Sequence, residues 1–199
     1  MRIFKFFLAA AAISTVLFGV GRTIIGDGNI QRGNTEIAGM LQEQFATADG
    51  FTAQMQGSTA EGLAFEAQTT YTPQQTAVTI TAPLHLADTT YTVCDGILSI
   101  CRDGQTYTTQ GRLSGKPAAL MLRSPAFVLG PLQNSTPTIQ DGFAIYDNPV
   151  VDGQEEVSCQ VIVDLSTMQP VQMQLQGGGN DYILYFSDFT LTQSSNETT

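Results

Sequence analysis

The strictest pattern in the chain is Val171-Gln172-Met173-Gln174-Leu175-Gln176, where each apolar residue is followed by a glutamine. Successive side chains of a strand point to opposite faces, so this segment sorts cleanly only as a strand with one dry and one wet side. The same period recurs along the chain. Phe51, Ala53 and Met55 alternate with Thr52, Gln54 and Gln56. Leu63, Phe65, Ala67 and Tyr71 share one face of "GLAFEAQTTYT", and Val78 and Ile80 share one in "TAVTITAP". Val157, Cys159, Val161 and Val163 alternate in "VSCQVIV", as do Tyr182, Leu184 and Phe186 near the end. Threonine and aromatic side chains suit such strands. Asp95-Gly96, Asp103-Gly104, "STMQP" and "GGGND" mark turns between them. Consecutive strands joined by short turns form an antiparallel meander, whose single apolar face must curl around a core or take helices against it.

Two segments carry a helical signature instead. Thr35 can cap "TEIAGMLQEQFATAD", with Ile37, Met40, Leu41 and Phe45 on one stripe and Asp49-Gly50 as the stop. In "GKPAALMLRSPAFVLGPL" the pair Ser124-Pro125 predicts a helix start, since proline is favoured in the first turn. The expected class is therefore α+β and mostly antiparallel β: a curved sheet lined by Phe, Met, Leu and Tyr with two helices in its concavity. Such a concavity suits an acyl chain or lipid; the same side chains can also simply pack against the helices.

The N-terminus predicts export. Arg2 and Lys5 precede the apolar run Phe6–Val20, about the upper length of a signal-peptide core and short of the roughly 20 residues of a spanning helix. Gly19 and Gly21 stand at −3 and −1 of a cut before Arg22. Extended to Ile25, the run reads instead as an uncleaved anchor that would place residues 6–25 in contact with the membrane. Leu17-Phe18-Gly19 has the form of a lipobox, but Val20 stands where its cysteine would be, so lipidation there is chemically excluded. The predicted organisation is a signal peptide or anchor over 1–21, a glycine-rich linker over 22–34, the domain over 35–193 and a disordered tail over 194–199.

Charge narrows the partners. The eighteen acidic residues lie beyond the opening segment against five basic ones, leaving −13 from Thr23 onward. Such a domain is repelled by phosphate backbones, which excludes nucleic acid. Four of the five bases, Arg102, Arg112, Lys116 and Arg123, cluster in sequence. They read either as solvated charges on a surface helix or as a patch for an anionic head group.

Nothing in the sequence marks an enzyme. His85, the single histidine, lies in the strand-like "PLHLAD" with no GxSxG elbow. No His/Cys cluster or DxDxDG loop announces a metal, and no cofactor is expected. If Asp95-Gly96 is a tight turn, Cys94 faces Ile97 rather than Cys101. Cys159 reads as a small buried hydrophobe, with a Cys101–Cys159 bridge as the alternative.

Taken together, the amphipathic helix running into "DGFTAQMQ", the "TAP" closing the third strand, the Asp95-Gly96 turn, "SPAFVL", "VDLSTMQPVQMQLQ" and "YFSDFTL" resemble the LolA/LolB-like lipoprotein-carrier superfamily, over about Ile37 to Thr192. The resemblance implies an open half-barrel of about eleven strands with the helices as a lid, binding a lipid or lipoprotein acyl chain without catalysis. It makes Phe51, Met55, Phe65, Val78, Ile80, Leu84, Met121, Phe127, Met173, Leu175, Leu184 and Phe186 the candidate cavity lining. Two departures stand out: Ala82 where carriers often have a basic residue, and no tryptophan anywhere. The alternative is an exported envelope scaffold or sensory domain of the same fold that binds a protein partner and no lipid.

Overall fold

The computed structural model describes residues 27–59, 64–112, 122–152, 155–177 and 180–193. The chain divides into two compact units, residues 1–33 and 34–199; in the first, the described residues 27–33 are helical. The signal or anchor segment, the tail, Leu63 and Met121 lie outside the described residues. Among the described residues no helix is long and apolar enough to cross a membrane.

Helix α1 covers Asp27–Ala46. Eleven strands follow: β1 (Ala48–Thr59), β2 (Ala64–Tyr71), β3 (Gln75–Ala82), β4 (Thr90–Cys94), β5 (Ile97–Arg102), β6 (Gln105–Arg112), then β7 (Thr138–Gln140), β8 (Phe143–Asp152), β9 (Glu155–Asp164), β10 (Gln169–Gly177) and β11 (Asn180–Gln193). Between β6 and β7 lies the insert, a 3-10 turn Ser124–Phe127 followed by α2, Leu129–Asn134. Pro125 stands at the start of the 3-10 turn, as its sequence predicts.

All eleven strands form one sheet in the order β6-β5-β4-β3-β2-β1-β11-β10-β9-β8-β7. Every pairing is antiparallel. The first and last strands pair in the middle, from Ala48 opposite Gln193 to Thr59 opposite Tyr182. The two halves of the chain thus fan out from a shared centre. β6 and β7 remain as edges, so the curved sheet does not close. This is the expected open half-barrel.

The turns follow their chemistry. Asp95-Gly96, Asp103-Gly104 and Asp141-Gly142 all have positive φ at both positions, between 50° and 84°. That is the geometry of the tight hairpin turn whose twist matches the strands. Cys94 accordingly pairs with Ile97, and all three cysteines are free thiols, which removes the Cys101–Cys159 bridge.

Four local readings are corrected. The segment Asp27–Asn34, read as linker, is already helix. Propagating a helix costs far less than nucleating one. Met40 leaves the apolar stripe: it is exposed, while Leu41 and Phe45 are fully buried. "PLHLAD" is a turn rather than a strand, because Pro83 has no N–H for the ladder. Its backbone folds on itself, Leu86 donating to the Pro83 carbonyl at 2.9 Å and Thr89 to that of Leu86 at 3.2 Å. Finally, β7 and β8 went unread although Asp141-Gly142 announces their hairpin. Pro149 masks β8, but it lies beyond the three residues that pair with β7, where that side of the strand has no ladder to break.

Candidate functional site

The inner face of the sheet is apolar from β5 to β8 in sheet order. Phe51, Met55, Val78, Ile80, Met173, Leu175, Leu184 and Phe186, eight of the twelve candidate residues, are buried there in one continuous core. Phe65 and Phe127 are half-buried at its border. Leu84 is corrected: it is 89% exposed at the tip of the Pro83 turn and lines nothing inside. Met121 lies outside the described residues.

Sequence periodicity missed several inner residues. Phe189 is buried beside Phe186, three positions away and out of phase for a regular strand. The cause is a bulge: Gln54 pairs with Ser187 but Thr52 with Thr190, and Asp188 takes φ 51°. The bulge completes an aromatic cluster. Phe51 stacks on Phe189 at 4.6 Å and 18°, and Phe186 meets both edge-on, at 6.5 Å from Phe51 and 6.0 Å from Phe189. A similar irregularity in β10, between Pro170 and Gln172, buries Pro170 and leaves Val171 only half-buried. Ala144 and Tyr146 of the unread β8 also face inward.

Helices fill the concavity. Leu41 and Phe45 enter from α1, and Leu122, Val128, Leu129 and Leu132 from the insert. The two are clasped by Gln133, whose Nε2 donates to the carbonyls of Phe45 at 3.1 Å and Ala48 at 2.7 Å. Gln44 Nε2 donates to the Met168 carbonyl at 2.9 Å, tying α1 to the β9–β10 turn. Of these acceptors, the Phe45 carbonyl is one that the end of α1 leaves open.

Among the described residues, the hollows beside this packed interior include two. One, of about 520 Å³, is lined by Asp147, Asn148, Pro149, Ser158 and Gln176. Asp147, Pro149, Ser158 and Gln176 are exposed, so it is a wet groove on the far side of the sheet. The other, of about 160 Å³, lies at the β2–β3 and β4–β5 turns and is lined among others by Tyr71, Thr76, Val93, Asp95, Gly96 and Arg123. The sequence-adjacent bases do not form one patch. Arg102 sits at the opposite end of β5 from the Asp95-Gly96 turn, and its guanidinium donates to the His85 carbonyl at 2.9 Å. Arg112 and Lys116 side chains lie outside the described residues. His85 is exposed. Among the described residues no group of three His, Cys, Asp or Glu could hold a metal.

Burial pushes the Cys159 thiol up to about 12, with the Asp147 carboxylate adding to it. The neutral thiol is favoured by the fold. Its contribution is therefore complete below the ordinary thiol pKa of 9.0 and is lost as pH rises from there to about 12. Cys159→Ala is expected to flatten the alkaline limb of a stability–pH curve. In native protein a maleimide should label exposed Cys94 first and Cys159 only after unfolding; rapid native labelling of Cys159 would contradict its burial.

Tyr146 presents a second burial cost. Its hydroxyl is buried with no hydrogen-bond partner among the described residues, and burial pushes its pKa up to about 12. Removing an unsatisfied buried hydroxyl relieves its desolvation. Tyr146→Phe is therefore expected to raise stability by about 1 kcal/mol in urea unfolding. A loss of similar size would mean that the hydroxyl is paired.

No family profile matches the chain, and no curated protein matches it. Solved structures similar to it include a DUF1329 family protein from Desulfovibrio piger, 12% identical, covering 80% of this chain and 92% of that one with a TM-score of 0.46. A LolA superfamily protein from Nitrosomonas europaea is 10% identical over 80% and 94%, with a TM-score of 0.36. The Mycobacterium tuberculosis lipoprotein LppX is 8% identical over 82% and 96%, with a TM-score of 0.39.

Proposed function

We propose that the protein is a non-enzymatic, exported cell-envelope protein that binds a lipid or acyl chain against the inner face of its half-barrel. The observation that carries this reading is the way the apolar face is covered. A second sheet does not close it; α1 and a short insert do. Leu122, Val128, Leu129 and Leu132 of that insert are buried in the core cluster, where an acyl chain would lie. Swapping these side chains for a chain of methylenes exchanges one apolar contact for another, so the net change in buried apolar area is small. The two-pronged Gln133 clasp is what such an exchange must break.

Native mass spectrometry of protein extracted from membranes in mild detergent tests the reading, followed by titration of the stripped protein with a fluorescent fatty acid. Co-purified lipid, or saturable uptake at micromolar concentration, is the expected result. Neither retention nor uptake would overturn it, and capture of one specific membrane protein by the lipid-free form would replace it. Gln133→Leu is expected to speed fatty-acid uptake several-fold, because it frees the insert. Stopped-flow fluorescence reads that rate, and an unchanged rate would exclude the insert as the gate.

A further inference from the structure

We propose that the hollow at the β2–β3 and β4–β5 turns seats the anionic head of the bound amphiphile, carboxylate or phosphate, with Arg123 as its counter-charge. The inference rests on the acyl-chain reading above and adds the polar half of the ligand.

Four observations support it. The first is size: about 160 Å³ is less than the roughly 300 Å³ at which whole small-molecule sites begin, but is enough for a head group. The second is continuity with the interior. Thr76 and Val93 of the lining are buried, and the Tyr71 ring lies 5.7 Å from that of Phe51 at the centre of the aromatic cluster. A ligand head in the hollow therefore has its tail directed at the apolar face. The third is the cation. Arg123 is half-buried, with its guanidinium 5.9 Å from the centre of the Phe127 ring. A guanidinium carries five N–H donors, enough to hold the insert and an anion at once. Charge-assisted bonds to carboxylate or phosphate are the strong ones, and partial burial strengthens them.

The fourth is placement. Arg112 stands opposite Ile97 in register, beside the Asp95-Gly96 turn. The β6 backbone at Arg112 thus lies at the same end of the sheet as this turn. Arg102 is excluded, since it lies the length of β5 away, about 16 Å at 3.3 Å per residue. Asp95 on the rim opposes an anion. It makes the site moderate in strength and gives the test a second arm of opposite sign.

The test is a set of titrations of the stripped full-length protein at pH 8 with oleate, methyl oleate and inorganic phosphate. The variants are Arg123→Gln, Arg123→Lys and Asp95→Asn, each checked for native far-UV circular dichroism. Wild type is expected to prefer oleate over methyl oleate by about tenfold. Arg123→Gln should abolish that preference and leave methyl oleate unchanged, Arg123→Lys should keep part of it, and Asp95→Asn should tighten oleate a few-fold. Equal binding of both ligands in wild type and Arg123→Gln overturns the head site while leaving the acyl reading intact. Failure of both ligands to bind overturns the acyl reading and with it this one. Phosphate competing with oleate but not with methyl oleate supports the head site. Phosphate binding that survives Arg123→Gln places the anion elsewhere and overturns it.

Discussion

Phe51→Ala is expected to lower folding stability by about 4 kcal/mol, the middle of the range for truncating a buried aromatic. The ring is fully buried and touches Tyr71, Phe186 and Phe189. It sits on β1 between Tyr71 on β2 and Leu191 on β11, at the seam where the two halves of the sheet meet. Neighbours held in two ladders cannot collapse into the vacated space, so the cavity penalty adds to the lost transfer energy. Aromatic pairing contributes beyond area. At 2–4 °C per kcal/mol for a domain of this size, the melting temperature should fall by roughly 10 °C. Urea denaturation and a thermal scan read both, and a loss under about 1 kcal/mol would mean that the cluster is not formed.

Gly50→Ala is the second large effect, at about 2–3 kcal/mol. A Cβ at this position would collide with the Tyr71 carbonyl oxygen, a backbone atom that cannot rotate away. Relief requires β1 and β2 to part where the aromatic cluster begins. Gly57 is different. Its Cβ would meet the Phe65 ring and Leu184, side chains with some freedom to move, so the cost is smaller. Gly39 on α1 has open space around it. Gly39→Ala is the internal control, expected to stabilise by up to about 1 kcal/mol through helix propensity and unfolded-state entropy. If Gly50→Ala unfolds at the wild-type urea midpoint, the close approach of the two strands is wrong.

Where a structural feature depends on neighbours in sequence, it was legible. Met173 and Leu175 are buried because the period of two leaves them no other face, and Asp95-Gly96 turns the chain because both residues accept positive φ. Cys159 could be read as a buried hydrophobe from its valine-flanked strand. Legibility ended where a chemical rule met an unknown neighbour. Leu84 looked like one more inward residue until Pro83 broke the ladder and turned it to solvent. Pro149 is harmless in β8 only because the β7 pairing ends before it, and that depends on which strand lies alongside. The insert could be identified as a helical cover of the concavity, but not which of its apolar side chains, Val128, Leu129 and Leu132 among them, would be buried.

The candidate site divides in the same way. Most of its apolar lining follows from alternation. Its polar end does not: Arg102 and Arg123 look like members of one basic cluster in the sequence, yet β5 carries Arg102 to one end of the sheet while the insert brings Arg123 to the other. By itself the sequence determined most of the strands, their turns, the dry face and the acidic charge, because periodicity, turn chemistry and charge are local or additive. Tertiary structure alone decided that β1 pairs with β11 and that a bulge at Ser187–Asp188 swings Phe189 inward. Each of these is set by hydrogen-bond register and packing between segments distant in sequence, and a one-residue slip in register exchanges the dry side of a strand for its wet one.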